Sequence, residues 1–174
     1  MVELVPPDPS WPAEYERAAA ELADIVPADW PIEHIGSTSV PGLIAKPIID
    51  LGVRVPALAA VVELDPQLRS AGWHQLARGP VTHLVRVKES EGRRTHIAHF
   101  FAAEDWEHCH QRVFRDWLQD LPEDRDRYAE AKRSAAAAAE DGRDYTLRKR
   151  AVVEEITNRA RTARGLPAVE VWDK

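Results

Sequence analysis

Apolar positions along the chain change their period several times, and each change marks an element. Tyr15, Ala18, Ala19, Leu22 and Ile25 or Val26 recur at three- and four-residue spacing, which predicts an amphipathic helix laying one face on the body of the protein. Ser10 is placed to cap it, Pro12 suits its first turn, Glu14 adds favourable charge there, and Pro27 stops it. Ile32–Ile35 reads as a short strand that leads into a loop over Gly36–Gly42. Lys46–Val53 then alternates with β-branched residues and reads as a second strand. Leu58–Ala71 is helical in composition and ends at Gly72, with a break expected at Pro66.

Two further stretches, Val81–Val87 and Arg94–Phe101, are strand-like, and the polar residues Lys88–Arg93, with Gly92 among them, predict the turn of a hairpin. The remaining chain predicts helices over Glu104–Leu118, Glu123–Glu140 and Tyr145–Arg164, with Asp144 capping the last and Gly165 ending it. The run Ala135–Ala139 fits a closely packed helix of high propensity. Leu166–Lys174 carries no periodic signal and reads as a tail that is loose or docks on the surface. With no repeat and no linker composition, residues 1–174 are expected to form one α+β domain, a mixed β-sheet flanked by helices with a helical C-terminal half.

Composition narrows the partners more than the fold. A formal net charge of −6 argues against broad nucleic-acid binding, although the 23 lysines and arginines leave room for a local basic cleft. Cys109 is the sole cysteine, so a disulfide within the chain and a multi-cysteine zinc site are both excluded. Glu3, Asp8 and three prolines before Trp11 do not make a signal peptide, and no apolar run approaches the ~18 residues of a membrane span. A soluble, cytoplasmic protein with no membrane partner is expected, acting on a small-molecule or nucleotide ligand. Six tryptophans are many for this length and point to an interface or a pocket, while the oligomeric state is left open.

Candidate chemistry concentrates between Ile35 and Val53. Gly36-Ser37-Thr38-Ser39 follows a strand directly, and such a run exposes N–H groups and hydroxyls suited to phosphate oxygens. A tight turn held by its own serine and threonine side chains explains the same composition equally well. On a regular strand Lys46, Ile48, Asp50 and Gly52 share one face, so Asp50 is a carboxylate among apolar neighbours that needs a partner or a metal.

The segment is similar to the signature of the GrpB family of the nucleotidyltransferase-like superfamily, His-hydrophobic-Gly-Ser-Thr-x-Val-Pro-Gly-x-x-Ala-Lys-Pro-hydrophobic-hydrophobic-Asp. This chain matches it at His34, Gly36, Ser37, Thr38, Val40, Pro41, Gly42, Ala45, Lys46, Pro47 and Asp50. Arg94-Thr95-His96-Ile97-Ala98-His99 resembles the family's Arg-Thr-His-His-x-His strand, and Phe114–Leu118 its Phe-Arg-Asp-aromatic-Leu helix. Tyr128 with Lys132, and Tyr145 with Lys149, resemble its two Tyr-x-x-x-Lys pairs. The resemblance implies a nucleotidyltransferase-like fold in which Gly36, Ser37, Thr38 and Ser39 hold phosphates and Asp50 holds a divalent metal, Mg or Mn rather than Zn, with a nucleoside triphosphate as substrate. It further implies that Lys46, His96, His99 and Arg115 serve the catalytic centre, with His99 as a second metal ligand. Lys46, Arg115, Tyr145 and Lys149 would contact the ligand.

The chain departs from a two-metal centre at position 52, where a second acid is replaced by Gly52. One aspartate with imidazoles is a poor magnesium cage and suits Zn²⁺, Mn²⁺, Ni²⁺ or Fe²⁺ better. His96 and His99 have opposite parity, so a regular strand aims at most one of them at Asp50. His83 is placed to face either one across the hairpin, and His108 and His110 read as surface helix residues. Arg115 is equally suited to a salt bridge with Asp116 or Asp120, and Tyr145 with Lys149 to simple helix packing. Three functions stay open: metal-dependent nucleotidyl transfer to a small molecule or protein, a non-catalytic module for a nucleotide or CoA-type ligand, and a different small-molecule enzyme on the same scaffold.

Overall fold

The computed structural model describes residues 2–76, 79, 80 and 82–171. Its centre is a five-stranded mixed sheet of β1 (Ile32–Ile35), β2 (Ile49–Val55), β3 (His74–Gln75), β4 (Leu84–Ser90) and β5 (Arg93–Ala102), in the spatial order β1-β2-β5-β4-β3. Only β2 and β5 run parallel, with Asp50 opposite Ile97 and Gly52 opposite His99. β1 lies antiparallel to β2, and β4 antiparallel to β5.

Alternation on β2 assigns the two faces of this sheet. Ile49, Leu51, Val53 and Val55 turn to one side with Ala98 and Phe100, where they meet α1 (Trp11–Ala23), α2 (Leu58–Glu63) and α3 (Asp65–Ser70) in the main core. Asp50 and Gly52 turn to the other side, towards α4 (His110–Asp120), α5 (Pro122–Ala138), α6 (Gly142–Arg148) and α7 (Arg150–Ala163). A second core forms between that loop and those helices, from Val40, Leu43, Leu118, Tyr128, Val153 and Ile156.

Several expected boundaries move for local reasons. β2 starts at Ile49 rather than Lys46, because Ile48 N–H turns back to the Lys46 carbonyl at 2.8 Å. Lys46 therefore leaves the strand and does not share Asp50's face through alternation. The helix over Leu58–Ala71 divides at Leu64, two residues before Pro66, as the missing proline N–H leads one to expect. In the hairpin, the first strand is displaced to Leu84–Ser90, with Val81 outside the described residues, and Glu91 and Gly92 make the turn with φ of 53° and 73°. The helix expected from Glu104 begins only at His110, after a short 3₁₀ turn over Trp106–His108.

The caps differ as well. The Ser10 hydroxyl accepts no capping N–H; instead the Asp8 carboxylate takes Ser10 N–H at 2.8 Å. Asp141, not Asp144, caps α6 by accepting the N–H groups of Arg143 and Asp144, and Lys149 separates α6 from α7. Gly165 ends α7 at φ 70°, as expected. The following tail docks: Asn158 exchanges two hydrogen bonds with the Val169 backbone, and Val171 is buried.

Arg86 is the one charge on β4 taken into the main core, 2% exposed, and the Asp65 carboxylate meets it at 2.7 and 2.8 Å. Asp65 also holds the exposed Arg69 at 3.3 Å. Asp65→Ala strands a buried guanidinium and is expected to cost about 3 kcal/mol, several times the effect of Arg69→Ala. Urea unfolding of the two variants checks the ranking.

Candidate functional site

β1 delivers the chain into the loop, and the loop closes onto β2. Gly36 has φ 72° and ψ −172°, a region open essentially to glycine alone. A Cβ at this position falls 2.2 Å from Asp50 Oδ2, so the backbone of the loop rests directly on the carboxylate. Ser37–Ser39 then make one 3₁₀ turn, in which Ser39 and Val40 N–H reach the Gly36 and Ser37 carbonyls at 3.3 Å. The hydroxyls of this loop have different tasks. Ser39 Oγ donates to the Gly36 carbonyl at 2.6 Å, and Thr38 Oγ1 donates to the Ile48 carbonyl at 3.3 Å. Of the three, Ser37 is the one that lines the cleft. Thr38 and Ser39 therefore act as the turn's internal ties, not as phosphate-facing hydroxyls.

His34 completes the support. It faces α1, stacked on Tyr15 at 4.7 Å, and its Nε2 donates to Thr38 Oγ1 at 3.0 Å. Burial pulls its pKa down to about 4, so the ring is neutral near pH 7.

On the cleft side, Asp50 Oδ1 meets His99 Nε2 at 3.4 Å, His99 Nδ1 meets His83 Nε2 at 2.9 Å, and His83 Nδ1 meets Thr82 Oγ1 at 3.1 Å. His99 thus joins Asp50 and His83 faces His99. His96 does not join them: alternation sends it to the opposite face, where it lies edge-on to Trp73 and bonds Thr95. The catalytic role expected of His96 is not available from that face. His110, expected on a helix surface, instead lines the cleft near His99, and burial lowers its pKa to about 4.

Arg115 is placed otherwise than a phosphate-binding role requires. Its guanidinium donates to Glu33 at 2.8 Å, to the His34 carbonyl at 2.9 Å and to Asp116 at 2.8 Å. Arg112 grips the same Glu33 with two bonds of 2.9 Å. Burial alone would raise the Glu33 carboxyl, but the two arginines hold it below the ordinary carboxylate range. This clamp ties α4 to β1.

The two Tyr-x-x-x-Lys pairs converge below the loop. Lys132, 2% exposed, donates to the Ile44 carbonyl at 2.7 Å and lies 4.6 Å from the Tyr128 ring. Lys149 bonds Tyr128 OH at 3.2 Å and lies 5.0 Å from the Tyr145 ring, with Lys46 on the same ring at 4.4 Å. Burial first, and then Lys149, hold Lys132 well below the usual lysine pKa, with Lys46 adding to the effect. Tyr145 is buried at 3% exposure and covered by lysines, so it offers no open face for a base to stack on.

Sequence reasoning left His110 out of the cleft and gave Lys132, behind it, no role. For Lys132 the signal was present, since Tyr128 and Lys132 are one helical turn apart on the same face.

A cleft of about 730 Å³ runs from Gly36, Ser37 and Asp50 past His83 and His99 to Lys149. Among the described residues no group of three or more His, Cys, Asp or Glu side chains is placed to hold a metal ion. Cys109 lies at its edge, but burial raises the thiol to about 11 and leaves it unreactive. No described helix is long and apolar enough to cross a membrane.

A mixed sheet whose edge strand enters a Gly-Ser turn, with the next strand's carboxylate under that turn and helices on both faces, defines an α+β class. Within that class the chain belongs to the family described as GrpB protein, whose sequence profile matches residues 1–159. A UPF0157 protein of Streptomyces coelicolor is 37% identical over 161 residues, covering 90% of this chain and 83% of that protein. A dephospho-CoA kinase of Mycolicibacterium paratuberculosis is 30% identical over 167 residues, covering 80% of this chain and 40% of the enzyme. The crystal structure of conserved protein GrpB from Enterococcus faecalis matches with a TM-score of 0.84 at 28% identity, over 94% of this chain and 99% of that one.

Two outcomes follow from this geometry. Gly36→Ala places a methyl on Asp50 and is expected to destabilise the fold by more than about 2 kcal/mol. Adding Asp50→Ala should recover part of that loss in a double-mutant cycle read by urea unfolding. His34 and His110 titrate near 6.5 in the unfolded chain and near 4 when folded, so stability is fully present above pH 6.5 and is lost as pH falls towards 4. For His110 the loss is of order 2–3 kcal/mol, and unfolding midpoints of the parent and of His110→Asn across that range should diverge accordingly.

Proposed function

We propose that the cleft binds the phosphate end of a nucleotide- or CoA-type ligand, with the Ser37 turn and Lys149 facing the anion. The observation that carries this reading is the convergence of Lys46, Lys132 and Lys149 around Tyr128 and Tyr145, where Asp50 is the acid that acts on Lys132. Ammonium groups crowded together repel one another, and an arriving phosphate relieves that repulsion. The position of this group beside a glycine-opened turn fits a phosphate ester better than a neutral metabolite.

Nucleotidyl transfer is the second reading, and the contact between Gly36 and Asp50 favours it, because transferases of the resembled superfamily pair such a turn with a carboxylate. The residues present do not make the usual metal centre, however. Gly52 supplies no ligand, and His99 already occupies one oxygen of Asp50. The match to dephospho-CoA kinases, which extend well beyond the matched segment, supports a ligand of the CoA type.

Calorimetry with ATP, dephospho-CoA, CoA and pyrophosphate tests the proposal. At least one phosphate ester should bind with a dissociation constant in the micromolar range, and Lys149→Ala should weaken it about tenfold, or roughly 1.4 kcal/mol. Absence of binding by every one of these compounds at millimolar concentration overturns it.

A further inference from the structure

The surroundings of Asp50 conflict with the metal chemistry that a Gly-Ser turn and a carboxylate strand imply. A second carboxylate at position 52 would enter a tight site: a Cβ there lies 3.2 and 3.3 Å from the Ile35 side chain and 3.5 Å from the Trp106 ring, so Ile35 would have to give way. Trp106 is itself fixed, with the Arg112 guanidinium 4.3 Å from its ring and donating to its carbonyl at 3.0 Å. Of the two Asp50 oxygens, one faces His99 and the other lies against the Gly36 backbone. Magnesium demands several oxygen ligands in near-octahedral array, and one engaged carboxylate does not provide them.

The opposite wall of the cleft supplies positive charge by other means. Lys149 lines the cleft, is half-buried, and is oriented by Tyr128 OH and the Tyr145 ring. Lys46 lies on that same ring, and Lys132 fixes the backbone between them through the Ile44 carbonyl. Held ammonium groups of this kind neutralise phosphate without a bound metal.

We propose that a lysine ammonium group replaces the divalent metal in this cleft, so that Lys149 is the cationic subsite and phosphate esters bind without Mg²⁺ or Mn²⁺. This rests on the phosphate-ligand reading above and adds to it the nature of the counter-charge. Lys149 is then the residue that selects for a multiply charged phosphate.

Isothermal titration of the full chain with pyrophosphate and with ADP, in EDTA and then in millimolar MgCl₂ or MnCl₂, tests this directly. Affinity should agree within about threefold between the two conditions, fall steeply with added salt, and drop at least tenfold in Lys149→Met. Circular dichroism of Lys149→Met verifies its fold. Affinity that rises more than tenfold on adding metal, and that is abolished by Asp50→Ala while surviving Lys149→Met, overturns the proposal but leaves the phosphate reading standing. Silence of both probes in every buffer overturns the two together.

Discussion

The resting of the Gly36 backbone on the Asp50 carboxylate is the constraint around which the cleft is built. It requires a glycine, because the backbone there is in a region side chains avoid and because a Cβ collides with Asp50. It requires the turn to be held from behind, which His34 and Thr38 do by tying it to Ile48 at the entry to β2. It also requires β1 to stay in register with β2, where Ile35 faces Asp50. The hydroxyl-rich composition of the loop thus serves two ends, and most of its polar groups are spent on keeping the turn closed.

One polar clamp connects the sheet to the helical half and a second ties the helices together, and both use buried or half-buried charge with several partners. Glu33 binds Arg112 and Arg115, joining β1 to α4. Asp124, 5% exposed, accepts from the Trp117 indole at 2.6 Å and from Arg159 at 2.7 Å, joining α4, α5 and α7. A carboxylate with several donors tolerates removal from water that a single pair does not. The helices behind the cleft are therefore located by hydrogen-bond geometry as well as by apolar packing.

How far the sequence reveals this depends on the range of the interaction. Helical and strand periods identify α1, β1, β5, α5 and the hairpin well, because alternation and spacing are local. Parity alone separates His96 from His99, and the sheet sends them to opposite faces. What the sequence conceals is set by partners distant along the chain. Arg115 matches a phosphate-binding signature, yet Glu33, some eighty residues earlier, takes its guanidinium. Lys46 sits in an alternating run, yet a turn at Ile48 removes it from the strand and brings it to Tyr145. Asp144 has a capping composition, but Asp141 is better placed to accept the first N–H groups of α6.

Lys132 is bound to the Ile44 carbonyl, a main-chain atom, and not to any side chain of the loop segment. Recognition through a carbonyl is indifferent to which residue carries it. Position 44 therefore holds the helix through its backbone while its side chain packs against the second core, whereas Lys132 serves the contact through its side chain alone. The course of the segment between turn and strand is thus gauged by a main-chain atom, so an insertion or deletion there would shift the loop against the helix that Lys132 belongs to.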